Sequence, residues 1–85
     1  MINLFVKVFP IAGICEKTQE LEITLEEGNM REALTLLEAR LGSKFDNGSA
    51  ETIMFLHNGR ALDRPSDANF SDGDQLWLLP QISGG

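Results

Sequence analysis

The stretch D-G-D-Q-L-W-L-L-P-Q-I-S-G-G, residues 72–85, decides how the rest of the chain is arranged. Asp72-Gly73 is tight-turn chemistry. Gln75 to Pro80 then reads as a strand, closed by a proline that cannot donate to a ladder. Within it Leu76 and Leu78 alternate with Trp77 and Leu79, so both faces are apolar. A strand of that kind belongs near the centre of a sheet, beside another apolar strand.

That other strand is at the N-terminus. Ile2 to Phe9 is rich in β-branched and aromatic residues and stops at Pro10. Leu4, Val6 and Val8 fall on one face; Asn3, Phe5, Lys7 and Phe9 fall on the other. After a loop with Gly13, Leu21-Glu-Ile-Thr-Leu25 alternates apolar and polar, as a half-buried strand does. The two segments make a hairpin with a long connection.

Asn29 can cap a helix, with Glu32 three residues on as in a capping box. Met30, Ala33, Leu34, Leu37 and Leu41 line one face of that helix. Gly42 sits where a left-handed C-terminal cap belongs. Residues 43–51 are polar and form a loop. Thr52 to His57 is a third apolar run, Asn58-Gly59 a hairpin turn, and Arg60-Ala61-Leu62 a short return strand. Asp63 to Asp67 is turn chemistry, with room for one short helical turn.

The order is β-β-α-β-β-β plus a tail. The fold class is α+β: a mixed sheet of four to five strands with one main helix covering one face. Residues 1–80 form the domain and 81–85 a flexible C-terminal diglycine tail. The first and last strands lie parallel at the sheet centre.

At 85 residues and 9.4 kDa this is one domain. Its 42% apolar content fills one core but not a core plus a large cavity. A net charge of −6 with no Lys/Arg cluster speaks against nucleic acid and anionic membrane surfaces, and suits a basic protein partner. Cys15 is the only cysteine, so no internal disulfide forms. The N-terminus lacks the features of a signal peptide, and no window approaches the ~18 apolar residues of a membrane span. A cytoplasmic location is expected. Asn47-Gly-Ser49 and Asn69-Phe-Ser71 match the glycosylation pattern by chance.

No nucleophile–base pair, metal set or cofactor motif is present, so independent catalysis is not expected. The only histidine, His57, reads as a polar strand end. Asp63, Asp67, Asp72 and Asp74 read as turn formers, and Lys44 as a solvated loop lysine. The reactive part is the tail. A C-terminal carboxylate, with a pKa near ~3.5, is ionised at neutral pH and can attack the α-phosphate of ATP. The chain has no phosphate-binding glycine loop, so a partner must supply ATP and magnesium. Gly84 and Gly85 lack Cβ atoms and can thread a narrow channel, helped by small Ser83 before them.

The exposed sheet face is the matching docking surface. With Leu76 and Leu78 turned to the helix, Trp77 and Leu79 face outward and join Phe5 and Lys7 on the first strand. Such a patch, leading through Pro80 and Ile82 to the tail, marks a partner surface. The alternative register tucks Trp77 beneath the Pro10–Thr18 loop as core.

The element order, Leu4-Phe-Val-Lys7, the Asp72-Gly-Asp74 turn and the ending Leu79-Pro-Gln-Ile-Ser-Gly-Gly85 resemble the MoaD/ThiS group of ubiquitin-like (β-grasp) sulfur carriers, nearest to the small subunit of molybdopterin synthase. Gln81 stands where many members carry a second proline. The resemblance implies that a MoeB/ThiF-like enzyme adenylates the Gly85 carboxylate and a persulfide donor converts it to a thiocarboxylate. It also implies that the tail delivers sulfur inside a MoaE-like large subunit, in molybdenum or tungsten cofactor synthesis. No cofactor is bound by the chain itself. Other readings are a carrier for thiamin, tRNA thiolation or cysteine, a ubiquitin-like protein modifier, and a plain interaction module.

Overall fold

The computed structural model describes residues 1–11, 16–42, 53–64 and 67–81. Six elements follow one another: β1 (Ile2–Val8), β2 (Gln19–Leu25), α1 (Met30–Leu41), β3 (Ile53–His57), β4 (Arg60–Ala61) and β5 (Gln75–Pro80). They make one five-stranded sheet in the order β2-β1-β5-β3-β4. β1 and β5 are parallel neighbours, and both β1–β2 and β3–β5 are antiparallel. The most apolar strands therefore occupy the interior of the sheet, as their composition requires. One helix on one face of this mixed sheet is the β-grasp arrangement.

Register follows from burial. Leu4, Val6, Val8, Leu76 and Leu78 point to the helix and are buried, with Ile23, Leu25, Ile53 and Phe55 beside them. From α1 come Met30, Ala33 and Leu37; Leu34 and Leu41 are only partly buried at the margin. A one-residue slip of β5 would turn Leu76 and Leu78 outward and set Trp77 and Leu79 against the helix, reversing both faces of the strand.

The turns obey local chemistry. Asn58 and Gly59 both have positive φ, 51° and 86°, as a type I′ hairpin turn demands. Asp74 N–H donates to Ser71 O at 3.0 Å across the tight turn that holds Gly73 at φ 89°. Asn29 caps α1 by accepting from Glu32 N–H at 2.8 Å. Gly42 ends it with φ 89° and ψ −176°. That is the glycine-only extended region rather than the left-handed helical one anticipated. Its N–H still closes the helix on Glu38 O at 2.9 Å.

Two polar clusters exceed what the sequence suggested. The Glu32 carboxylate does more than complete a capping box: it accepts N–H groups of Glu26, Glu27 and Gly28 at 2.7–3.0 Å. Those three amides form a concave nest ahead of the helix. The Glu26 amide leads in holding this carboxyl below the usual range, against desolvation. The second cluster corrects the reading of His57 and Asp74 as a mere strand end and turn former. His57 lies opposite Leu76, with its ring 4.8 Å from Phe70 and its Nε2 2.7 Å from Asp74 Oδ2. The same Oδ2 accepts Ser71 N–H at 2.8 Å, and Phe5 N–H donates to Asp74 O at 2.9 Å. The turn before β5 is thus tied to both β1 and β3.

A pH prediction follows. The Ser71 amide, chiefly, with a smaller contribution from His57, holds the Asp74 carboxyl below its ordinary value against the opposing effect of desolvation. A carboxyl lowered in the folded state binds fewer protons than when unfolded. Its stabilisation is complete above the unfolded value near pH ~4 and is lost as pH falls through the folded value. Glu32 has the same sign. Asp74→Asn is expected to cost about 1.5 kcal/mol at pH 7 and to flatten the acid limb of the stability curve, read by urea unfolding at several pH values. An unchanged acid limb would show that Asp74 is not among the groups that set it.

Candidate functional site: the open face of the sheet

Each site residue owes its direction to strand alternation. With Leu4, Val6 and Val8 turned inward, Phe5 and Lys7 turn outward. With Leu76 and Leu78 inward, Trp77 and Leu79 turn outward. The register places Phe5 beside Gln75 and Lys7 beside Trp77 on the parallel pair, and Phe5 beside Glu22 and Lys7 beside Glu20 on the hairpin.

Phe5 is 46% exposed, a large fraction for its type. Trp77 is half-buried. It does not enter the core cluster; it lies edge-on to Phe9, with ring centroids 5.6 Å apart at 62°. The Lys7 ammonium sits 5.2 Å from the Phe9 ring and 5.6 Å from the Trp77 ring, with Glu20 Oε1 at 3.8 Å. Each of these contacts is worth about 0.5–1 kcal/mol at an exposed site. Together they hold the indole upright without sealing it.

The antiparallel partner of β5 extends the patch beyond what alternation in β1 and β5 reveals. Leu56 lies opposite Trp77 and Met54 opposite Leu79, both half-buried. The signal was present, since Ile53 and Phe55 inward require Met54 and Leu56 outward. Using it needed the β3–β5 pairing, which joins residues far apart in sequence. The open face is therefore an apolar band across β1, β5 and β3, edged with carboxylates on β2.

β5 carries the chain along this band to Pro80, which is exposed and pairs in register with Ile53. Gln81 follows, exposed. Ile82, Gly84 and Gly85 lie outside the described residues, as do Cys15 and Lys44. Among the described residues no group of three or more His, Cys, Asp or Glu is placed to hold a metal ion. No helix among them is long and apolar enough to cross a membrane.

Solved structures share this architecture. Small archaeal modifier protein 1 of Haloferax volcanii superposes with a TM-score of 0.68 at 18% identity, over 96% of this chain and 100% of that one. A putative molybdopterin converting factor subunit 1 from Pyrococcus furiosus gives 0.67 at 22% identity, over 96% and 100%. The molybdopterin-converting factor of Helicobacter pylori, solved as a complex of subunits 1 and 2, gives 0.63 at 19% identity, over 99% and 100%. At such identities the likeness establishes the β-grasp fold. No curated protein matches the sequence. The ThiS family matches residues 2–85, the whole sheet and helix together with the diglycine, and the chain belongs to the ThiS family.

Proposed function

We propose that this protein is a sulfur carrier whose reactive group is the Gly85 carboxylate. The observation that carries the reading is the ThiS family match, which includes Gly84-Gly85. An adenylating enzyme of the MoeB/ThiF kind binds ATP and magnesium. The carboxylate oxygen attacks the α-phosphate, and pyrophosphate leaves. A persulfide sulfur then attacks the acyl carbon, AMP leaves, and a thiol reductant frees the thiocarboxylate. The apolar band of the open face docks the carrier, with Pro80 starting the tail toward the partner's site.

The sulfur acceptor proposed is a molybdopterin precursor, held by a MoaE-like large subunit. Support comes from the Helicobacter pylori fold neighbour, which is solved with its second subunit. A second reading, conjugation of Gly85 to protein amines, is favoured by the fold shared with an archaeal modifier protein. Both require the same first step.

The test is ATP–pyrophosphate exchange with a MoeB/ThiF-like enzyme. Exchange that depends on the carrier, and that falls ~10-fold or more for Trp77→Ala as an interface anchor is removed, is the expected result. Absence of carrier-dependent exchange would refute activation at Gly85.

A further inference from the structure

A groove crosses the open face from β2 to β5, lined by Phe5, Lys7, Glu20, Glu22, Gln75 and Trp77. Its two transverse rows differ in chemistry. In one, Glu20, Lys7 and Trp77 are in register, and Lys7 answers both the carboxylate and the ring. In the other, Glu22, Phe5 and Gln75 are in register, and no cation is supplied: Glu22 makes no ion pair among the described residues. An exposed aromatic ring thus has a carboxylate on one side and a carboxamide on the other.

From the Glu22–Phe5–Gln75 row we infer that the groove receives an arginine side chain projecting from a docking protein. This rests on the open face being the docking face and adds the chemistry of its partner. Adjacent strands lie about 4.8 Å apart, so the backbones of Glu22 and Gln75 are separated by roughly 10 Å, with Phe5 between them. A guanidinium stacked on the Phe5 ring can point N–H donors to both sides. Its planar, weakly hydrated cation suits an aromatic face and a carboxylate together, which an ammonium matches less well. The chain's net charge of −6 adds attraction for a basic partner. A second copy of this chain is disfavoured as occupant by the same charge.

The probe is the peptide acetyl-Gly-Arg-Gly-amide, titrated into ¹⁵N-labelled protein, with the lysine analogue as comparison. Shifts are expected at Phe5, Glu22, Gln75 and the Trp77 indole. Glu22→Gln, at an exposed position, weakens binding about tenfold, whereas Glu38→Gln on the exposed side of α1 changes nothing. Shifts spread equally over Glu26, Glu27 and Glu38, equal binding of the lysine peptide, or no effect of Glu22→Gln would overturn the assignment. Binding of a MoaE-like large subunit separates the two layers of the argument. Loss of binding with Trp77→Ala but none with Glu22→Gln overturns the arginine and leaves the docking face standing. Loss with neither overturns the docking face as well.

Discussion

One alanine appended after Gly85 is expected to abolish adenylation, with a fall of ~10²-fold or more in carrier-dependent pyrophosphate exchange. The reason is positional. In the proposed reaction the nucleophile is the Gly85 carboxylate itself, and an added residue converts it to an amide while carrying the new carboxylate past the α-phosphate. Nothing in the sheet or helix is touched, so thermal stability and docking to the large subunit are expected to stay as in the parent protein. That separation distinguishes a carrier from an interaction module. A module would keep its function with the extension, because its working surface is the band of Phe5, Trp77 and Leu79.

The second large effect concerns the frame. Gly28 has φ +74°, and a Cβ placed there would stand 2.6 Å from Ile2 Cδ1 and 2.9 Å from the Phe70 carbonyl oxygen. The isoleucine tip can swing away. The carbonyl cannot move as easily, because Gly28 and Phe70 are already bound backbone to backbone, Phe70 N–H to Gly28 O at 2.6 Å. Gly28 N–H also donates to Glu32 at 3.0 Å, so the residue joins β2, the helix start and the segment before β5. Positive φ in a residue with a Cβ costs about 1–3 kcal/mol before the clash is counted. Gly28→Ala is expected to lose about 3 kcal/mol, a fall in Tm of roughly 10–20 °C for a domain of this size. Marginal stability makes that a large fraction of the total. A circular-dichroism melt checks it, and a shift of only a degree or two would mean that the turn relaxes at little cost.

The parts of the fold that were legible in the sequence are those fixed by near neighbours. Asn29 and Glu32 are three residues apart, and the cap they announce is present. Asn58-Gly59 specifies its own turn, and the alternation of Leu76 and Leu78 with Trp77 and Leu79 sets which residues face out. The parallel pairing of β1 with β5 at the sheet centre agrees with their being the most apolar segments. What escaped was set by how the elements join and pair. Glu32 reaches back to the amides of Glu26, Glu27 and Gly28, a contact that depends on how β2 enters the helix. His57 and Asp74 are seventeen residues apart and meet only because β3 pairs with β5. The same pairing adds Met54 and Leu56 to the open face. No periodicity in β3 could identify its neighbour.

On the proposed function the surface and the tail serve one purpose: the band docks the carrier, and β5 runs along it to Pro80, where the last residues begin. The Lys7 contacts keep Trp77 available at the cost of some exposed apolar area, which fits a surface that is covered only part of the time.

The central claim is that Gly85 carries sulfur, and intact-mass spectrometry with fragmentation tests it directly. The protein is incubated with ATP, magnesium, a MoeB/ThiF-like enzyme and a persulfide donor with thiol reductant. The account predicts the mass gain of exchanging one oxygen for sulfur, located by fragmentation on Gly85 and absent from the methionines and Cys15. An unchanged Gly85, with the enzyme shown active on its own carrier, would contradict it.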